Sequence, residues 1–213
     1  MELILRIYLL PYNERKPVVC FDERPCFLIG DTVKGLDMKP GQVKKEQYSY
    51  TKNGSCSVLA MIEPKTGKRL VHVRRRRRKI EFAKFMKNLA ELYPDAEKII
   101  VILDNLNTHD KSAFYEVYNA ETAAWLADKF EFVFTPKNAS WLNMIEIEFS
   151  ALSRQCLNRR IPTMEKLAKE VFAYLKECND KGIKIEWQFS RQKARKKLNR
   201  HYSKVNSINQ KYK

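Results

Sequence analysis

The most constraining feature of the sequence is the run Ile99-Ile-Val-Ile-Leu103, which contains no polar side chain and ends at Asp104. A strand with one face in water alternates polar and apolar residues, whereas a continuous apolar run is typical of a central strand buried on both faces. Such strands occur in α/β folds, in which helices cover both faces of the sheet. Because a carboxylate beside an apolar strand is costly unless it is paired or binds a metal, Asp104 becomes a candidate functional residue.

A second apolar run with an acidic end lies near the N-terminus. It comprises Val18-Val-Cys-Phe-Asp22 and is followed by Glu23 and, two residues later, by Pro25. It is predicted to be a buried strand that stops at its carboxylates. Strand ends are where α/β sheets build ligand sites, and neighbouring strands would bring Asp22 and Asp104 side by side. Two close negative charges require a divalent cation, and carboxylate oxygens suit Mg²⁺ or Mn²⁺.

The remaining pattern alternates strands and helices without an internal repeat. Two strands, over residues 55–62 and 69–73, are joined by a turn at 63–67 and form a meander with the first strand. The resulting order, βββαβαβα, resembles that of RNase H-like nucleases. We therefore predict an α/β, RNase H-like fold: a mixed five-stranded sheet, made of an antiparallel three-strand meander plus parallel strands, with helices on both faces. The other predicted elements are a loop over 30–47, helices over 80–93, 120–129, 142–157 and 162–178, the last with Thr163 as its N-cap, and a strand over 132–134.

The helix predicted over residues 142–157 carries two acids, Glu146 and Glu148. Residues two positions apart are separated by about 200° around a helix, so only one of them can face a site shared with Asp22 and Asp104. A third carboxylate would complete a set that holds two metal ions. For each acid taken singly, a structural role is the alternative: Asp22 and Asp104 could stabilise turns, and Glu146 could be a solvated helix residue.

The charge of the chain indicates a polyanionic partner. Lys and Arg number 41 against 25 Asp and Glu, which gives a formal net charge of +16 and a pI near 9.6. Nucleic acid is the commonest such partner, although a basic excess also serves solubility or attraction to an anionic membrane surface. The five cysteines are scattered and never spaced as Cys-x-x-Cys, which argues against a zinc ribbon and a disulfide framework. With no targeting or membrane-spanning segment, a cytoplasmic protein is expected.

Short basic and aromatic stretches are the candidates for contact with nucleic acid. The run from Arg74 to Lys79 follows the third strand and is either a phosphate-contacting edge or a solvated charge run. A further cluster lies at residues 191–200. Trp141 could stack on a base, although an aromatic beside Leu142 is more often part of a core. The residues predicted to bind nucleic acid are Arg74, Arg75, Arg76, Arg77, Arg78, Lys79, Trp141, Arg159 and Arg160.

Three motifs make the sequence similar to a known family. The stretch Leu103-Asp-Asn-Leu-Asn-Thr-His109 is followed by the block Thr135-Pro-Lys-Asn-Ala-Ser-Trp-Leu-Asn-Met-Ile-Glu-Ile-Glu-Phe149. Together they resemble motifs of the DDE transposases of bacterial insertion sequences, in the mariner-like superfamily. The stretch Cys20-Phe-Asp-Glu-Arg-Pro25 is similar to the first catalytic block of that family. The resemblance extends over residues 1–160 and is weaker beyond them.

This resemblance implies a metal-dependent enzyme that acts on DNA. Asp22, Asp104 and Glu146 would be catalytic and would hold two Mg²⁺ (or Mn²⁺) ions, with Glu148 as the fallback third ligand. Such enzymes hydrolyse DNA at transposon ends and join the freed 3′-hydroxyl to target DNA, usually at a TA step. A homodimer on DNA and a place of action at the bacterial nucleoid are expected. By the same resemblance Asn105, His109 and Asn143 are supporting residues that orient ligands or contact DNA, with a packing or turn role as the alternative for His109.

Two departures from the family pattern leave alternatives open. Relatives often carry His where this chain has Asn138, and the family normally places a helix-turn-helix module before the catalytic domain. Here the chain starts in what resembles the linker, so we expect a linker remnant over 1–16, an RNase H-like DDE catalytic domain over 17–180 and a basic tail over 181–213. A missing module predicts a split-frame product, a decayed copy or an excised domain. The alternatives to a transposase are a metal nuclease without strand transfer and a non-catalytic DNA-binding remnant.

Overall fold

The structure, a computed structural model, describes residues 1–33, 38–43, 48–206 and 208. Parts of the loop predicted over 30–47 and of the tail predicted over 181–213 lie outside the described residues. The strands are β1 (Val18–Asp31), β2 (Tyr50–Ile62), β3 (Arg69–Arg74), β4 (Ile99–Leu103) and β5 (Phe130–Phe134). The helices are α1 (Glu2–Leu9), α2 (Lys79–Leu92), α3 (Ser112–Val117), α4 (Ala120–Lys129), α5 (Ile145–Leu152), α6 (Met164–Asp180), α7 (Arg191–Lys197) and α8 (Asn199–Val205).

The five strands form one mixed sheet in the order β3-β2-β1-β4-β5. β1 and β2 pair antiparallel, as do β2 and β3, whereas β4 runs parallel to both β1 and β5. The predicted α/β architecture, a three-strand meander joined to parallel strands with helices on both faces, is thereby confirmed. β4 lies between two other strands and under helices on both sides, which explains why its sequence lacks polar residues.

Side chains that alternate along the strands build a separate hydrophobic core on each face of the sheet. On one face, Phe21 of β1 joins Phe82 of α2. On the opposite face, the preceding residue Cys20 joins Ile145 of α5. By the same alternation Asp22 belongs to the face that carries α5, so the strand order and the helix layers together determine which elements can meet at its carboxylate.

The apolar pattern predicted that the first strand stops at its carboxylates, and this was wrong: β1 continues past Asp22 to Asp31. Its ladder with β4 extends only as far as Cys20, and beyond that point its described partner is β2. Pro25 lies opposite Ser57 on this one-sided extension, where an edge strand leaves half of its N–H groups unpaired and tolerates proline. The two acids and Pro25 interrupt the apolar pattern, which is why the prediction ended there, although the strand continues through the apolar run Cys26-Phe-Leu-Ile29.

The helix predicted over residues 142–157 is divided in the structure. A 3₁₀ turn over Ser140–Leu142 precedes α5, and a π-helical segment over Ser153–Leu157 follows it. The start of α5 is delayed because Asn143 adopts an extended backbone conformation and its side chain bonds to β1. The predicted helices that became α2, α4 and α6 are confirmed to within a few residues, and Thr163 caps α6 as expected.

Two helices far apart in the sequence, α1 and α7, pack on the face of the sheet that carries α5. The segment expected to be a linker remnant contains α1, an amphipathic helix whose buried residues include Leu5 and Tyr8. Ala194 of α7 is buried in the same core, and Arg195 forms a bidentate ion pair with Glu2, with both N–O distances 2.7 Å. The division into domains at residues 16 and 180 stays a prediction. Among the described residues, no helix has the length and apolar character to cross a membrane.

Candidate active site

The first two candidate carboxylates lie at the same level of adjacent parallel strands. β1 and β4 pair with Cys20 opposite Ile102. Continuing that register by two residues brings Asp22 opposite Asp104, which is the first residue after β4. Residues in register on parallel strands share a face, so the two carboxylates emerge together at one edge of the sheet.

α5 contributes the third candidate carboxylate. Its first turn holds Glu146 and Glu148, which have different surroundings. Oε2 of Glu148 lies 2.8 Å from Nη2 of Arg69 on β3, and the two side chains are only 6% and 2% exposed. Glu146 is exposed. Of the two acids, only Glu146 is therefore available to a ligand, because Glu148 already neutralises a buried guanidinium.

The three candidate carboxylates interact electrostatically. Burial, together with the negative charges of Asp104 and Glu146, raises the pKa of Asp22 to about 7, although the N–H of Glu23 donates to its Oδ1 at 2.7 Å. Charges affect a pKa in this way only when they are near neighbours. Within the described residues, however, no three His, Cys, Asp or Glu side chains are grouped tightly enough to hold a metal ion. The site is thus a set of neighbouring carboxylates whose mutual repulsion a divalent cation would relieve.

His109 links the second carboxylate to a buried acid that sequence reasoning did not single out, Glu23. Nδ1 of His109 lies 2.7 Å from Oδ1 of Asp104, and Nε2 lies 3.6 Å from Oε1 of Glu23. Burial alone would lower the pKa of His109, but the hydrogen bond to Asp104 and the carboxylate of Glu23 outweigh it and raise the pKa to about 9. The same hydrogen bond is the main cause that lowers the pKa of Asp104. At neutral pH the ring is an imidazolium between two carboxylates.

Two buried polar side chains fix the start of α5 against its surroundings. Asn143 donates through Nδ2 to the carbonyl oxygen of Phe21 on β1 at 2.8 Å, and its own carbonyl accepts from the N–H of Glu146 at 3.1 Å. Tyr8 of α1 donates to the carbonyl of Leu142 at 2.7 Å. Asn143 is one of the predicted supporting residues, whereas Tyr8 lies in the segment predicted to be a linker remnant and has no sequence motif that indicates its contact. These bonds hold the helix that carries Glu146 in a defined position relative to β1.

An open cleft adjoins Asp104 between the loops that follow β4 and β5. Asn105, Thr135 and Asn138 are among the residues that line it. Asn105 is exposed in this cleft and is available to a ligand. Asn138 has a positive φ of 61°, a conformation that Asn adopts more readily than most other residues. The residue at this position is therefore suited to the local backbone.

Arg77, from the middle of the predicted basic run, lies close to the carboxylates. It follows β3, and its Nε is 3.9 Å from Oε2 of Glu23. Its charge adds to the hydrogen bond from His109 in lowering the pKa of Asp104. The basic run therefore brings a guanidinium to the edge of the sheet at which the acids meet.

The other residues predicted to bind nucleic acid fall into an exposed group and an engaged group. Arg75 and Arg76 are exposed, and Arg74 is half-buried at the end of β3. In the engaged group each side chain has a partner within the chain. These contacts are Arg78 with Glu81 at 2.7 Å, Lys79 with Glu116, Arg159 with Glu170 at 2.5 Å, Arg160 with Asp31 at 2.7 Å, and the ring of Trp141 with that of Phe189 at 5.4 Å between centroids.

Known proteins share the fold described above. The solved structures that resemble the chain include a Mos1 strand transfer complex, with 14% identity, a TM-score of 0.55 and coverage of 86% of this chain and 60% of that chain. They also include a pre-cleavage Mos1 transpososome, with 14% identity, a TM-score of 0.52 and coverage of 87% of this chain and 61% of that chain. At this identity the likeness shows a shared fold, and the chain spans about 60% of the length of those proteins. A comparison with curated protein sequences gave no match. The profile of one family, described as DDE superfamily endonuclease, matches residues 17–168, which is more than half of the 213 residues, and the chain belongs to this family.

Proposed function

We propose that the chain is the catalytic part of a DNA transposase, which hydrolyses phosphodiester bonds at transposon ends and transfers the freed 3′ strand to target DNA. Asp22, Asp104 and Glu146 are its catalytic residues. The observation that carries this proposal is the convergence of the three carboxylates. Asp22 of β1 lies in register with Asp104, directly after β4, and the charge of Glu146 contributes, after burial, to the raised pKa of Asp22. Membership of the DDE endonuclease family supports the same residues, since the matched region contains all three.

The residues present fit two divalent cations, Mg²⁺ or Mn²⁺. Burial, and after it the negative charges of Asp104 and Glu146, raises the pKa of Asp22, and a bound divalent cation would stabilise the ionised carboxylate against these effects. Carboxylate oxygens are the ligands that these hard cations prefer. When bound, two such ions activate an attacking oxygen and stabilise the leaving one. In the protein, Asp22 and Asp104 would hold the cations from the sheet and Glu146 would hold them from α5.

DNA is the partner in this proposal, and exposed cations of the chain occur in two regions that connect to the candidate site. One region follows β3 and contains Arg75, Arg76 and Arg77, of which Arg77 approaches Glu23. The other begins near Phe189, which contacts Trp141 in the loop before α5 and lies two residues before α7. α7 exposes the basic side chains Arg191, Lys193, Lys196 and Lys197, each of which could neutralise a phosphate and release counterions.

The finer features of the proposal rest on the family resemblance. They are action by a homodimer on DNA, insertion at a TA step, and a place of action at the bacterial nucleoid. A transposase needs a second subunit or a second site because two transposon ends must be joined to one target. The oligomeric state on DNA can be measured directly by light scattering of the protein bound to an end duplex.

An end-cleavage assay tests the proposal. The full chain is incubated with labelled duplexes that copy the ends of the element encoding it, with a supercoiled target plasmid and with Mg²⁺ or Mn²⁺. We expect cleavage at the ends and joining to the plasmid, both abolished by Asp104→Asn. Cleavage without joining would indicate a metal nuclease instead, and DNA binding without any metal-dependent cleavage would indicate a non-catalytic remnant. Either result would overturn the proposal.

A further inference from the structure

Glu23 is a buried acid whose surroundings suggest a function. Its side chain is 1% exposed, and neither carboxylate oxygen has a hydrogen-bond partner among the described residues. The cationic groups near it are the ring of His109 at 3.6 Å and the guanidinium of Arg77 at 3.9 Å. Burying a carboxylate without close partners costs several kcal/mol, so an acid at such a position is expected to serve a purpose beyond packing.

The position of Glu23 follows from the alternation of β1. Asp22 faces the layer that contains α5, and the next residue, Glu23, projects toward the opposite layer. In that layer the ring of His109 packs against Phe21 and Phe82, with ring centroids 5.3 Å and 4.9 Å away. Aromatic packing fixes the plane of the imidazole but does not choose which of its edges faces Asp104. A carboxylate at the far nitrogen can make that choice.

We infer that Glu23 is a positioning residue, which acts through His109 to fix the orientation of the Asp104 carboxylate toward a metal ion. This inference rests on the proposed function, since it concerns the same site. His109 and Leu106 both donate to Oδ1 of Asp104, at 2.7 Å and 3.3 Å, and no described residue donates to Oδ2. One oxygen is thus fixed by the protein and the other is left for a cation.

The chain Glu23–His109–Asp104 also couples two strands. Glu23 belongs to β1, which carries Asp22, whereas Asp104 follows β4. A shift of one strand end against the other would break the contact through His109, so the chain keeps the two candidate ligands at a constant separation. In metal sites, partners of this kind that act through a ligand typically change the affinity by about 10–100-fold when they are removed.

Binding of Mn²⁺ to the full chain tests this inference without relying on catalysis. Isothermal titration calorimetry and the electron paramagnetic resonance signal of free Mn²⁺ would compare Glu23→Gln, His109→Gln and the wild type. Glu63→Gln is the matched control, because Glu63 is another buried acid, at the end of β2, where Tyr93 donates to it at 3.1 Å. Circular dichroism and thermal unfolding would check that each variant is folded.

We expect Glu23→Gln and His109→Gln each to weaken Mn²⁺ binding by about tenfold or more. Because both act through the same contact, the Mn²⁺ affinity of the double variant should be no lower than that of the single variant with the lower affinity. Glu63→Gln should bind as the wild type does. Unchanged binding by a folded Glu23→Gln, or an equal loss in Glu63→Gln, would overturn the inference. Asp22→Asn distinguishes failure of the role inferred for Glu23 from failure of the metal site itself. If Asp22→Asn abolishes Mn²⁺ binding and Glu23→Gln does not, only the role of Glu23 is excluded. If Asp22→Asn binds Mn²⁺ as the wild type does, the proposed metal site is excluded as well.

Discussion

The two sides of α5 carry the same residue type in opposite states. On one side Glu146 is exposed near two other carboxylates, and on the other Glu148 is buried in an ion pair with Arg69. Arg69 also donates to the carbonyl oxygens of Gly67 and Ile183, at 2.6 Å and 2.9 Å. Glu148 is therefore neutralised by a buried cation, although its Oε1 and the Nε of Arg69 have no hydrogen-bond partner among the described residues. No described cation forms an ion pair with Glu146 on the exposed side.

The acid without an ion pair thus marks the candidate site, and the ion-paired acid stabilises the scaffold. Residues two positions apart on a helix face opposite directions, so fixing Glu148 also fixes the direction of Glu146. The ion pair with Arg69 ties α5 to β3, and the bond from Asn143 to β1 ties it to the strand of Asp22. The predictions below separate these two kinds of acid.

The largest effect is expected for Glu146→Gln. If Glu146 holds a metal ion, its loss removes several kcal/mol of transition-state stabilisation, and we expect metal-dependent end cleavage to fall by about a thousandfold. Because Glu146 is exposed and its charge destabilises Asp22, the free energy of unfolding should change by less than about 0.5 kcal/mol. Cleavage rates and urea unfolding of the same preparation check both expectations. A variant that cleaves at the wild-type rate would remove Glu146 from the site.

The opposite result is expected for Glu148→Ala. It leaves the buried guanidinium of Arg69 without its carboxylate, and we expect the free energy of unfolding to fall by about 3–5 kcal/mol. The double variant Arg69→Met with Glu148→Leu removes both charges and should recover most of that loss, since buried ion pairs are often replaceable by apolar residues. Urea unfolding of the two variants measures the difference. Equal stability of the wild type and Glu148→Ala would contradict the structural role.

The sequence predicted the acids at the ends of the apolar runs better than it distinguished the two acids of α5. Apolar runs predicted β1 and β4, and the acids that follow them pointed to Asp22 and Asp104. The spacing of Glu146 and Glu148 showed that only one can face the site, but not which, because the deciding partner, Arg69, is distant in the sequence. The Glu23–His109 contact was missed for the same reason. Side-chain pairing across a sheet depends on register and layer, which local patterns do not contain.

The pH dependence of stability reports on Asp22, whose pKa the charge of Glu146 influences. The pKa of Asp22 is raised from 3.8 to about 7, chiefly by burial and also by Asp104 and Glu146. The folded protein thus binds this proton more tightly than the unfolded chain, so the stabilisation is complete below pH 3.8 and is lost as the pH rises through about 7. In metal-free protein, the free energy of unfolding should fall over this range relative to Asp22→Asn.

Single changes on α5 should alter that profile differently. Glu146→Gln removes one of the charges that raise the pKa of Asp22, so the loss of stability should move to lower pH. Glu148→Gln should leave the position of the loss unchanged, because Glu148 is not among the groups that shift Asp22. Urea unfolding in EDTA at a series of pH values gives the profiles. Parallel profiles for the wild type and Asp22→Asn would contradict the charge balance described for the site.

The smallest effect is expected for exposed cations near the candidate site. Arg75→Ala with Arg76→Ala should weaken DNA binding and reduce the dependence of log K on log salt by about 0.9 for each phosphate that the protein no longer neutralises. Arg15→Ala with Lys16→Ala is the matched control, since it removes two exposed charges from the loop before β1. Fluorescence anisotropy with a duplex at several salt concentrations measures the slopes. Equal slopes for the two double variants would show that net charge, rather than this surface, governs binding.

The most direct test of a metal site formed by the three carboxylates is an anomalous difference map from crystals of the full chain soaked in MnCl₂. We predict peaks within coordination distance of Asp22, Asp104 and Glu146, which lie at the ends of β1 and β4 and on the exposed side of α5. No peak is expected at Glu148, whose carboxylate is paired with Arg69. An absence of Mn²⁺ between the three carboxylates at saturating concentration, or a peak coordinated by Glu148 in place of Glu146, would contradict the account.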